Sequence, residues 1–76
     1  MIFVLTEQHM NGTVTMNTMV VGVDAKDFKT AVSKVKAMGN VHRATIHLED
    51  DRQLYYSIPG HCPVVGNMRC EPLKIL

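Results

Sequence analysis

Apolar positions recur along this chain with two different periods. Between Asp24 and Met38 the spacing is helical: Phe28, Ala31, Val32, Val35 and Met38 fall at i, i+3, i+4, i+7 and i+10. That spacing gathers them on one face. Asp24 is expected as the N-cap, with Asp27 completing an acidic variant of the capping box. Gly39 is expected just past the helix end. Lys34 and Lys36 in the last turn suit the negative end of the helix dipole.

On either side of this helix the period is two. Ile2 to His9 and Thr13 to Val23 are rich in β-branched residues and are separated by Asn11-Gly12, a strong hairpin signal. A two-residue turn there pairs Met10 with Thr13 and Leu5 with Thr18. One face then carries Phe3, Leu5, Val14, Met16 and Val20, and the other Ile2, Val4, Met19, Val21 and Val23. The second face needs a cover, either the C-terminal tail or another subunit. Ile2, Val4, Met19 and Val21 are the residues through which a homodimer would form.

Val41 to Leu48 and Gln53 to Ile58 also alternate. Ala44, Ile46, Leu48, Leu54, Tyr56 and Ile58 are expected inward. Arg43, Thr45, His47, Tyr55 and Ser57 are expected outward. A three-residue loop, Asp50 to Arg52, keeps the faces matched by pairing Leu48 with Leu54, Ile46 with Tyr56, His47 with Tyr55 and Thr45 with Ser57. Pro59-Gly60 ends the last strand. The stretch from His61 onward, with Val64, Val65, Met68, Leu73 and Ile75, is too apolar for a disordered tail. Gly66-Asn67 is expected to reverse it, and the tail to fold back on the sheet or pair along its edge. The pattern therefore predicts an α+β domain: one helix packed on an antiparallel ββαββ sheet, with the C-terminal segment adding a short strand or covering the sheet. Residues 1–76 make a single domain, 2–58 its core and 59–76 an extension.

Composition agrees with a folded domain, at 46% hydrophobic and 20% charged residues. A net charge of +1 does not favour nucleic acid, whose binders are usually far more basic. No apolar run approaches the roughly 18 residues of a membrane span. Met1-Ile2-Phe3-Val4-Leu5 has no preceding basic residues and does not read as a signal peptide. A cytoplasmic location is expected, with no membrane contact.

The candidate chemistry is sparse. His61, Cys62 and Cys70 fall short of a tetrahedral zinc set, and the thiols are expected free, small and buried in a packed tail. Glu49, Asp50 and Asp51 crowd a convex turn, where a solvated acidic loop is expected rather than a cation site. No phosphate-cradling glycine spacing and no catalytic motif is present. No cofactor, no metal and no enzymatic activity are expected. Lys26, Lys29 and Lys36 form a basic helix surface. Arg43, Thr45, His47, Tyr55 and Ser57 form a mixed polar and aromatic face suited to protein contact, since Arg and Tyr are enriched in interface hot spots.

From Gly12 to Tyr56 the chain resembles very small proteins that bacteriophages use to disable host machinery. The resemblance runs through Val21-Gly22-Val23-Asp24-Ala25 into the helix, then Ala44-Thr45-Ile46-His47-Leu48 and Leu54-Tyr55-Tyr56. Some anti-CRISPR proteins acting on type I systems are similar in outline, as are phage inhibitors of host RNA polymerase. The resemblance is one of size and architecture. It implies a non-enzymatic protein in the host cytoplasm that binds a host protein, or a protein–nucleic-acid complex, and blocks it sterically. A nucleic-acid-binding module using Lys26, Lys29, Lys36 and Arg43 is one alternative. An oligomeric protein sequestering a small ligand is the other.

Overall fold

The computed structural model describes residues 1–11 and 14–75, and for residues 11, 14–18 and 40 it describes the backbone only. Strands β1 (Ile2–Asn11) and β2 (Val14–Asp24) lead into helix α1 (Phe28–Lys36). A 3-10 turn (Gly39–Arg43) follows, then β3 (Thr45–Glu49), β4 (Gln53–Ile58) and β5 (Val64–Pro72). These strands form one antiparallel sheet in the order β2-β1-β5-β4-β3. The α+β class with a single helix on an antiparallel sheet is as the pattern predicts.

The tail adds a strand, one of the two expected outcomes, but not at the expected place. It neither caps a face nor lies along an edge. β5 runs unbroken through Gly66 and Asn67 and occupies the centre of the sheet, paired with β1 on one side and β4 on the other. Each hairpin on its own would leave the backbone of β1 or β4 unpaired along one side, and β5 satisfies both sides at once. β5 thus holds the centre of the sheet, and its Met68 joins the core. Met68 is buried between Leu5 and Leu54, its partners in the flanking strands.

α1 starts later and ends earlier than its apolar spacing suggests. Asp24 closes β2, and the N-cap is Asp27, whose carboxylate accepts the Thr30 N–H at 2.8 Å. Hydrogen bonds from the Thr30 hydroxyl and N–H hold the Asp27 carboxyl below its ordinary range. Phe28, Ala31, Val32 and Val35 are buried against the sheet, and Phe28 meets Phe3 edge-to-face at 5.7 Å. The helix stops at Lys36, and Gly39, with φ near +30°, opens the 3-10 turn. That turn takes residues 39–43 out of the expected third strand, which begins only at Thr45, while Val41 enters the core.

Both hairpins differ in register. In the first, Leu5 pairs with Val21 rather than Thr18, and Met10 with Thr15 rather than Thr13, with a bulge between His9 and Met10. Gly12 and Thr13, at the expected turn, lie outside the described residues. At Leu5 the offset is an odd number of residues, so the faces of β2 are exchanged. Val21 and Val23 share the helix-side face with Leu5 and Phe3, and Val20 is exposed on the other. In the second hairpin Thr45–Ser57 and Ile46–Tyr56 pair as expected. A bulge after Ile46 then sets Leu48 opposite Tyr55 and Glu49 opposite Leu54. Leu48 is exposed because the bulge turns it to the Tyr55 side of the sheet, and Ile46, opposite Tyr56, is exposed on an edge strand.

α1 and the 3-10 turn lie on one face of the sheet. Among the described residues no element covers the other.

Candidate functional site

The register fixes what the uncovered face presents. Strand alternation turns Phe3, Leu5, Glu7, Leu54, Tyr56, Gly66 and Met68 toward α1, where all are buried. Their neighbours point the other way. One row across the sheet is Thr45, Ser57, Val65 and Gln8. The next is Leu48, Tyr55, Asn67, Thr6 and Val20, and a third pairs Gln53 with Arg69.

The side chains on this face are held to one another. His47 Nε2 lies 2.6 Å from Ser57 Oγ, and its ring is 5.2 Å from that of Tyr55. The Gln53 amide donates to Asn67 Oδ1 at 3.1 Å. Arg69 is exposed and, among the described residues, its guanidinium makes no hydrogen bond or ion pair. With Val4, Thr6, Asn67 and Glu71 it lines a shallow depression of about 260 Å³. The β3 bulge contributes here by turning Leu48 onto the Tyr55 side.

Of the residues singled out in the sequence, Thr45, His47, Tyr55 and Ser57 are brought together. Arg43 is not among them; it ends the 3-10 turn outside the strand alternation. Sequence reasoning missed Thr6, Val65, Asn67 and Arg69, because their place depends on β5 being central. The proposed dimer set is divided. Ile2 and Val4 lie on the open face, whereas Met19 and Val21 pair with Glu7 and Leu5 on the helix side.

The basic surface is also divided. Lys26 sits in the bend before α1 rather than on the helix. Lys36 is bound to Glu49 at 2.8 Å, and Lys34 donates to the Asp24 carbonyl. Lys29 shares a cleft with Glu49, Asp50 and Asp51. The acidic turn thus folds against the helix lysines and offsets their charge. Asp50 is further occupied in accepting the N–H groups of Arg52 and Gln53, each at 2.7 Å.

Cys62 and Cys70 are free, and both are exposed rather than buried. Cys62 precedes β5 and Cys70 lies past the β5 residues that pair with β4, so neither is enclosed in a packed tail. Among the described residues there is no group of three or more His, Cys, Asp or Glu side chains that could hold a metal ion. No described helix is long and apolar enough to cross a membrane. No family model, characterised protein or solved structure matches this chain.

Proposed function

We propose that this protein is a non-enzymatic binding domain that docks a partner protein on the open face of its sheet and blocks that partner sterically. The observation that carries the reading is the uncovered face itself. Most of its side chains are uncharged, with Tyr55 and His47 packed together and Arg69, in the next row, unpaired among the described residues. Aromatic and Arg side chains amid small polar groups are the composition of interface centres. The architectural resemblance to phage inhibitors supplies the form of action and points to a bacterial host component as the target. A protein partner fits this face better than nucleic acid does. Tyr55 is the sole exposed-face aromatic of β4, and the helix lysines are met by the acidic turn.

The test is affinity capture from bacterial lysate with three forms of the protein: wild type, a Tyr55→Gln/Arg69→Glu double variant, and Lys29→Glu as a control on the opposite side. The double variant should retain the wild-type melting curve and lose a stoichiometric protein that both other forms retain. Retention of that protein by the double variant would sink the reading. Capture of nucleic acid instead, with affinity falling about 0.7–0.9 log unit per log unit of salt for each phosphate neutralised, would replace it.

A further inference from the structure

The helix side of the sheet holds a carboxylate without a counter-ion. Glu7 is 7% exposed. Its Oε2 accepts the Tyr56 hydroxyl at 2.6 Å. Among the described residues no Lys, Arg or His forms an ion pair with it. The two lysines of the last helical turn are engaged elsewhere, Lys36 with Glu49 and Lys34 with the Asp24 carbonyl. A buried carboxylate is costly unless a cation or a full set of donors compensates it. One neutral hydroxyl is not a full set.

Oε1 of Glu7 makes no hydrogen bond, yet no buried side-chain oxygen of the described residues lacks a partner. Oε1 therefore keeps some solvent contact, and Glu7 lines a pocket on this side of the sheet. That pocket, of about 220 Å³, is floored by Glu7, His9, Ile58 and Val64 and roofed by Met38 and Val41. Among the described residues that line it, which include Gly39, the polar side chains are Glu7 and the half-buried His9. The roof is the chain just beyond the C-terminus of α1, the negative end of the helix dipole. A concave apolar site with a few convergent polar groups is the usual form of a small-ligand site.

We infer that this pocket binds a primary ammonium group carried on an unbranched apolar stem. The charge follows from Glu7 and the dipole. The head group follows from the oxygen count. Tyr56 holds Oε2, which leaves Oε1 for a ligand, and a guanidinium fork, which takes both oxygens, is not matched. An ammonium needs one carboxylate oxygen, and the His9 imidazole can accept a further N–H. The apolar walls suit a methylene stem. The same chemistry comes from a free alkylamine or from a lysine side chain of a docked polypeptide. The pocket lies across the sheet from the open face and is independent of the role assigned there.

The experiment titrates the full chain with n-butylammonium, n-butanol, n-butylguanidinium and Nα-acetyl-lysine methylamide, by calorimetry and by amide chemical shifts. Saturable binding of n-butylammonium should move the amides of Glu7, His9 and Val64. The neutral butanol and the Glu7→Gln variant should each be weaker by roughly tenfold or more. Should Glu7→Gln fail to fold, Val64→Phe fills the pocket and must abolish binding. Lysine derivative binding at least as tight as butylammonium assigns the site to a polypeptide lysine, and weaker binding assigns it to a free amine. Absence of saturation, equal binding of butanol, tighter binding of the guanidinium, or undiminished binding by Glu7→Gln would each overturn the inference.

Discussion

Tyr56 lies across Gly66. The two residues face each other in β4 and β5, and a methyl group built on Gly66 would stand 2.1 Å from Cζ of the tyrosine ring. The ring thus passes over the central strand where that strand has no side chain, and its hydroxyl reaches Glu7 in β1, the strand beyond. Three strands are tied together at one level of the sheet, and glycine at position 66 is what makes the passage open.

Gly66→Ala is expected to destabilise the protein by at least about 1–3 kcal/mol, the usual cost of overpacking a core. The ring is fully buried and has nowhere to withdraw. Urea denaturation checks this. Combining Gly66→Ala with Tyr56→Leu should recover part of the loss, because the clash disappears with the ring. Simple additivity of the two changes would show that the steric account is wrong.

Stability should fall at high pH through Tyr56. Burial first, then the hydrogen bond to Glu7 and its charge, raise the ionisation of Tyr56 above its ordinary 10.0. The folded state therefore holds the proton more tightly than the unfolded one. The contribution is fully present below pH 10.0 and is lost as pH rises from there toward the folded value. The slope is at most about 1.4 kcal/mol per pH unit. Tyr56→Phe should cost about 1–3 kcal/mol near neutrality by leaving Glu7 without its donor. The gap between variant and wild type should narrow above pH 10, and denaturant titrations at a series of pH values would show a constant gap if Tyr56 is not responsible.

A chain ending at residue 58 should not fold. It would retain every element of the ββαββ pattern but lose the strand that joins the two hairpins. Circular dichroism and thermal denaturation are expected to show no cooperative transition. A sharp melting curve from this fragment would mean that β5 is an addition rather than the centre of the sheet.

Asp27→Ala should lower the melting temperature more than Asp24→Ala, since only Asp27 accepts the Thr30 N–H. The lowered Asp27 pKa gives the sign of its pH dependence. Its contribution is present above the ordinary value of 3.8 and is lost as pH falls through the folded value. Thermal denaturation of both variants at neutral and acidic pH checks the assignment, with the difference between Asp27→Ala and wild type shrinking in acid.

What the sequence made legible was local. The helix face of Phe28, Ala31, Val32 and Val35 follows from spacing alone, and the pairing of Thr45 with Ser57 follows from parity. Order across the sheet was not legible, because antiparallel partners as far apart as Leu5 and Met68 leave no periodic trace. Bulges were not legible either. The one between His9 and Met10 contributes to the offset that exchanges the two faces of β2, and the one after Ile46 moves Leu48 to the open face. Half of the candidate site depends on those features. Thr45, His47, Tyr55 and Ser57 are neighbours within one hairpin and were found together, whereas Thr6, Asn67 and Arg69 become neighbours only through β5. Gly66 was the available signal. An isolated glycine in a strand pattern often marks close approach by another group, and here that group is the Tyr56 ring.

The central place of β5 also sets a timetable. β1 and β4 are made early, yet the strand that separates them comes later in the chain than either. Until Leu5 meets Met68, and Leu54 meets Met68 from the other side, each hairpin keeps an unpaired backbone edge. Contacts of such long sequence separation form slowly. During synthesis and refolding there is therefore an interval in which β1 and β4 can accept a foreign strand, or each other, in the gap that β5 will later fill. Conditions that lengthen this interval should raise the yield of misassembled chains without changing the stability of those that finish.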